Sequence, residues 1–186
     1  TLHKLPTRRT SVLGTQRGTE VKGICDVPPR HCPVGHLQAP TPGPREVVVR
    51  PTRSGRCGTD LHIHDGGFFA RFPLTPGHEI TGEVVALGDD VSDLKVGQRV
   101  VVDNASPCGH CGHCGRGEPL FCENFTSLGV NAPGGFAELV LTPAATVFDA
   151  GALEPEVSVL AEPPWVAIHG MAVTPTPPGT RAPLAP

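Results

Sequence analysis

The sequence predicts a mainly β fold with few helices, built as a partly closed β-barrel. Three observations predict it. Short β-branched runs recur at close spacing. Turn residues separate those runs almost every time. One segment alone reads as a helix. Several short strands divided by Gly, Pro and Asp turns are the pattern of a barrel or sandwich, not of alternating βα units.

The elements follow in chain order. Residues 1–38 show neither helical nor strand periodicity and are expected to be an atypical, irregular opening. Pro42-Gly43-Pro44 is a turn signal, and Val47-Val48-Val49 is a β-branched run after it. Glu79 to Leu87 (EITGEVVAL) reads as a strand ended by Gly88, with a turn at Asp89-Asp90. Gly97 precedes a strand from Gln98 to Val102. Gly134-Gly135 precedes a strand from Phe136 to Leu141, and Ala145 to Phe148 follow. Glu156 to Val173 is the helix candidate, with an acidic start and a Val/Leu/Ile stripe. Pro175, Pro177, Pro178, Pro183 and Pro186 then exclude a continuing helix or a central strand. The expected organisation is an atypical segment 1–38, a domain 39–172 and a Pro-rich tail 173–186.

Composition narrows the function classes. The chain has 186 residues and a net charge of -3, which favours neither nucleic acid nor an anionic membrane. No apolar run approaches the roughly 18 residues that span a bilayer, and the first 30 residues lack the apolar core of a secretory signal. The opening is basic and Thr-rich, which leaves a transit peptide as a minor alternative. Seven cysteines, four of them between 108 and 122, suit metal thiolates in a reducing, cytoplasmic setting better than a disulfide framework.

Cys108-x2-Cys111-x2-Cys114-x7-Cys122 is the strongest local signal. Zinc takes four soft donors in a tetrahedron, and closely spaced cysteines on a turning loop supply them. Four thiolates close the coordination sphere, so an ion in the lobe 104–124 is expected to be structural. In small peptides such an ion contributes about 10–16 kcal/mol of coupled folding free energy. An iron–sulfur cluster uses similar spacing and stays open on spacing alone. His110 and His113 could replace a cysteine, but read better as solvated loop residues.

A second constellation is dispersed. Cys57-Gly58-Thr59-Asp60-Leu61-His62 lies before Gly77-His78-Glu79, with Ala161-Glu162-Pro163 far downstream. One thiolate, one imidazole and one carboxylate from separate segments make an open zinc site with a fourth position for water or substrate. Zinc there draws the pKa of a bound alcohol toward neutrality, and the zinc-bound alkoxide can expel a hydride. Thr59 offers a hydroxyl that can pass a proton, and His62 can carry it to solvent. Asp60 is placed to accept from the imidazole of His78. Each fragment alone is more often structural than catalytic; Glu162, for instance, reads as a carboxylate at a helix N-terminus.

The ordered set CGTDLH at 57–62, PGHEITGEVVALG at 76–88, VGQRV at 96–100, the lobe at 108–122, GGFAEL at 134–139 and LAEPPWVAIHG at 160–170 resembles the zinc-containing medium-chain dehydrogenase/reductase family of alcohol, sorbitol and threonine dehydrogenases. The resemblance covers about Ala39 to Met171. It implies a GroES-like catalytic domain. It assigns a catalytic zinc to Cys57, His78 and Glu162 and a structural zinc to Cys108, Cys111, Cys114 and Cys122. Glu79 becomes a neighbour of the catalytic ion able to exchange with Glu162 as ligand, and Thr59 and His62 match a proton relay. A glutamate at 162 resembles the polyol branch, where a carboxylate replaces a cysteine.

The implied reaction is NAD- or NADP-dependent oxidation of an alcohol or polyol to a carbonyl, in a family that is commonly homo-oligomeric. Residues 1–38 depart from the family's opening strands. Arg56 and Gln98 stand where other residue types are commoner, and Arg56 beside Cys57 could favour its thiolate. No G-x-G-x-x-G follows a strand, so the Rossmann domain is expected to be absent and the chain truncated and inactive alone. The alternative expectation is a non-catalytic zinc-binding remnant or interaction module.

Overall fold

The computed structural model describes residues 19–24, 32–174 and 179. The basic opening before Thr19 and the tail from Pro175 on, Gly179 apart, lie outside these residues.

In chain order the strands are β1 (Glu20–Ile24), β2 (Val34–Gln38) and β3 (Glu46–Gly55), followed by helix α1 (Gly58–His64) and β4 (Glu79–Leu87). Then come β5 (Arg99–Val102), β6 (Ala105–Ser106), helix α2 (Gly112–Gly115), β7 (Thr126–Ser127), β8 (Val140–Pro143) and β9 (Val147–Asp149). Helices α3 (Pro155–Ser158) and α4 (Glu162–Val173) close the series, joined by a 3-10 turn over Val159–Ala161. A five-stranded curled sheet in the order β8-β3-β4-β5-β9 is the frame, and every pairing of its strands is antiparallel. No helix among the described residues is long and apolar enough to cross a membrane.

The core sits on both faces of β3 and β4. Val47, Val49, Ile80, Val84, Val100, Val102, Val140 and Val147 fill the inside of the curl. Val48, Val85 and Ala86 point the other way and pack with Val21 and Leu139. Burial on both faces explains why β3 opens on an unbroken Val47-Val48-Val49 run instead of alternating.

The opening segment is corrected by this packing. Within 1–38, β1 and β2 pair as an antiparallel hairpin and cover the outer face of the sheet through Val21 and Leu37. Their apolar faces are too short to show as periodicity. The hairpin also bonds to the segment before β8: Glu138 N–H donates to Lys22 O and Ile24 N–H to Phe136 O. The expected strand over 136–141 is therefore split, with 136–138 pairing to β1 and the regular strand beginning at Val140.

The helix candidate is corrected as well. Residues 156–173 form α3, a 3-10 turn and α4, not one helix, and Pro163-Pro164 occupy the first turn of α4. Its apolar stripe packs on no core, for α4 has no buried residue. The short helix α1 was not expected. Its start is tied by Asp60 Oδ2, which accepts the Cys57 N–H at 2.9 Å.

Candidate functional site

The lobe gathers its four cysteines as expected. The sulfurs of Cys108, Cys111, Cys114 and Cys122 all lie within 4.8 Å of one another. Cys108 N–H donates to Cys122 Sγ at 3.2 Å, and Cys111 and Cys122 sulfurs are 3.9 Å apart. All four are free thiols. The N–H groups of Cys114 and Glu123 hold Cys111 down at about 6, whereas burial pushes Cys114 up to about 12. Four clustered sulfurs are the donor set of a closed zinc site, and zinc, when bound, would deprotonate its thiols outright. Neither histidine of the lobe belongs to the set. His110 Nδ1 bonds to Cys108 O at 2.8 Å, and His113 Nδ1 lies 3.0 Å from Glu118 Oε2.

Part of the dispersed constellation comes together beside one cavity. Ligand atoms of Cys57, His78 and Glu79 all lie within 4.8 Å of one another. The carboxylate of Glu162 is not in that tight set. It lines the same cavity of about 460 Å³, along with Thr59, Asn104, Val130, Pro163 and Val166. Glu79 thus stands in the tight set, and Glu162 lines the same cavity outside it. Burial raises the pKa of Glu162; His78 opposes the rise, and Glu79 and Asp103 add to it. Its charge already feels the imidazole and the other carboxylate.

Local structure explains the geometry. Cys57 is the residue before α1, and the N–H of Thr59 is the main cause of its lowered pKa, with burial opposing and His78 assisting. Arg56 is exposed and is not among those causes. Thr59 Oγ1 lies 3.7 Å from Cys57 Sγ. His78 follows Gly77, whose φ is +93° and where a Cβ would lie 2.7 Å from the Phe136 ring, so only glycine delivers the imidazole here.

Asp60 ties the two halves. Its carboxylate accepts from Cys57 N–H and, at 3.2 Å, from Gly77 N–H, and its Oδ1 lies 3.5 Å from His78 Nδ1. That last contact is an ion pair whose geometry falls short of a hydrogen bond, leaving Nδ1 without a hydrogen-bond partner among the described residues. Burial pushes Asp60 up, but His78 and the two N–H groups outweigh it and the net shift is downward. Asp60 in turn is the main cause that holds His78 at about 9, against its burial. His62 lies one turn along α1 from Thr59, exposed to solvent.

Asn104, Val130 and Val166 were not legible as site residues in the sequence. They reach the cavity from three separate segments, and no local spacing marks them.

A curled antiparallel sheet thus carries one closed set of four thiols and one open mixed donor set, each able to hold a metal ion. Residues 43–152 match the Alcohol dehydrogenase GroES-like domain, and the chain belongs to that family. It is 47% identical over 126 residues to D-arabinitol dehydrogenase 1 of Uromyces fabae, covering 68% of this chain and 36% of that protein. An alcohol dehydrogenase from Escherichia coli CFT073 complexed with NADH superposes with a TM-score of 0.78 at 34% identity, over 84% of this chain and 46% of that one. A cobalt- and zinc-bound thermostable alcohol dehydrogenase from Pyrobaculum aerophilum gives 0.70 at 28% identity, over 77% and 45%. The chain thus spans less than half the length of each of these relatives.

Proposed function

We propose that this chain is the metal-binding catalytic domain of an NAD(P)-dependent dehydrogenase that oxidises an alcohol or polyol to a carbonyl. The observation that carries the reading is the Cys57–His78–Glu79 donor set opening onto a cavity that Glu162 and Thr59 also line. A thiolate, an imidazole and a carboxylate are the donor chemistry of an open zinc site, and the four-cysteine set is that of a closed one. Zinc, when bound at the open site, supplies a Lewis acid that favours loss of the alcohol proton.

The protein's own residues do the rest. Cys57 and His78 would anchor the ion, with Glu79 or Glu162 as the third donor. Asp60 faces Nδ1 of His78, which leaves Nε2 as the donor and orients the ring. The Thr59 hydroxyl accepts the substrate proton, and His62, one turn further on α1, passes it to solvent. Val130 and Val166 give the cavity part of an apolar wall. The likeness to an arabinitol dehydrogenase, with Glu162 in place of a third soft ligand, supports a polyol substrate. The free thiols suit a reducing compartment, so we place the protein in the cytoplasm.

Hydride transfer needs the nicotinamide held about 3–3.5 Å from the substrate carbon. A protein limited to these 186 residues has no G-x-G-x-x-G after a strand to hold it. Such a protein is expected to load two zinc ions and to reduce no NAD or NADP when given small alcohols or polyols. Metal analysis and absorbance at the reduced-nicotinamide band check both. A single zinc, lost on Cys108→Ser, removes the open site from the reading; turnover by the chain alone removes the inactivity.

A further inference from the structure

The open site is fed from two directions. His78 and Glu79 stand at the start of β4, held by sheet pairing, while Glu162 opens α4, which has no buried residue of its own. Within α4 the ties to the sheet are peripheral, among them the Trp165–Phe148 ring pair at 5.2 Å between centroids. A buried polar contact upstream also joins the two segments. Thr81 follows Glu79 by two residues and Ser158 precedes Glu162 by four; both are 2% exposed, and their hydroxyls lie 2.8 Å apart.

The direction of this bond follows from hydrogen count. Thr81 Oγ1 donates to Val100 O at 2.9 Å. A hydroxyl carries one hydrogen, so with that hydrogen committed Thr81 can only accept from Ser158. Ser158 has one other acceptor, Pro155 O, at 3.4 Å, near the limit of a hydrogen bond. Ser158 thus donates to Thr81 Oγ1, and the chain Ser158–Thr81–Val100 O runs from α3 through β4 to β5. The other polar tie from α3 to the sheet, Arg53 to Glu156, is solvent-exposed and so contributes little fixation.

We infer that Thr81 and Ser158 are positioning residues: their buried hydroxyl pair sets the segment that carries Glu162 against the strand that carries His78 and Glu79, and so aims the Glu162 carboxylate at the open metal site. This rests on the reading that Glu162 serves that site. The pair touches neither metal nor substrate, so it acts only through Glu162. Two apolar side chains would fill the same space but would not fix the direction in which α3 meets β4.

The test uses the 186-residue chain with its four-cysteine lobe already loaded, and reads the affinity for the second zinc by competition with a chromophoric chelator. Ser158→Ala and Thr81→Val are each expected to weaken that affinity about tenfold, the scale of losing an outer partner of a metal ligand. Thr81→Ser, which keeps the hydroxyl, is expected to retain it, and the first zinc should be unaffected throughout. Glu162→Gln is expected to weaken the second zinc at least as much. In the Glu162→Gln background, Ser158→Ala should then add less than about twofold, because its route is gone. An undiminished effect of Ser158→Ala in that background overturns the inference, as does a wild-type affinity in Ser158→Ala while Glu162→Gln is weakened. If Glu162→Gln itself binds the second zinc as the wild type does, the ligand reading fails first and the inference falls with it.

Discussion

The two metal sites differ in what holds them up. The lobe takes all four donors from 15 consecutive residues, Cys108 to Cys122, and among them only Cys122 is buried. Leu120 and Phe121 are 67% and 69% exposed, so the lobe has almost no apolar core. The open site gathers Cys57, just before α1, with His78 and Glu79 at the start of β4, and His78 and Glu79 are buried. In the lobe the metal organises the chain; at the open site the chain organises the metal. A closed site without a core must be held by its ion, whereas an open site must be held by the protein because it leaves a position free for chemistry.

The largest effect should therefore come from breaking the lobe. Chelation, or Cys111→Ser, is expected to release one zinc and to speed proteolytic cleavage between 104 and 124 by about a hundredfold or more, as local unfolding becomes the dominant state there. The five-stranded sheet should keep its far-ultraviolet dichroism. Cleavage within the sheet at a comparable rate would show that the lobe is part of the main core after all.

His78→Ala is expected to cost the second zinc and leave the first, with metal content falling from about two per chain to about one. Glu79→Gln and Glu162→Gln divide the remaining role. If the two carboxylates share the third position, each single change should weaken the second zinc about tenfold and the double change should abolish it. A loss confined to Glu79→Gln would assign the ligand to the residue that lies within 4.8 Å of Cys57 and His78.

Titration separates the sites more finely. His78 is held at about 9, chiefly by Asp60, so below that pH zinc must displace a proton from it. Affinity for the second zinc should rise about tenfold per pH unit up to roughly pH 9 and then flatten, read by calorimetry in buffers of differing ionisation enthalpy. The same shift has the opposite sense for the fold without that ion. The folded value lies above the ordinary 6.5, so the His78–Asp60 contribution is complete below about pH 6.5 and is lost as pH rises through about 9. Urea unfolding of chain carrying only the lobe's zinc should show that decline.

What was legible in the sequence follows the same division. The lobe was readable from spacing because all its determinants are local. β4 matched its expected bounds, Glu79 to Leu87, because burial on both faces leaves a long apolar run between turn residues. The hairpin β1–β2 was not readable, since its reason to exist is the outer face of β3 and β4, remote in sequence. Nor was the break at 159–161, where the chain turns from Ser158, buried against Thr81, to the exposed α4. At the open site Cys57 and His78 were recognisable by their motifs. Which of Glu79 and Glu162 completes the set was not, because they stand on separate segments, β4 and α4.

The smallest expected effect tests the closed set itself. His113 stands directly before Cys114 and could in principle offer a nitrogen to the ion. Its Nδ1 instead faces Glu118 Oε2 at 3.0 Å and Arg116 at 3.0 Å, in an exposed network on the outside of the lobe. His113→Ala should therefore leave both zinc ions in place, with affinity for the first changed by less than about threefold, since exposed ion pairs contribute little. His110→Ala should behave alike, because that ring bonds to the Cys108 carbonyl on its own loop. A loss of the first zinc in either variant would mean that a histidine, not a fourth thiolate, completes the lobe. One of the cysteines would then be free for other chemistry, and the contrast between a closed and an open site would no longer hold.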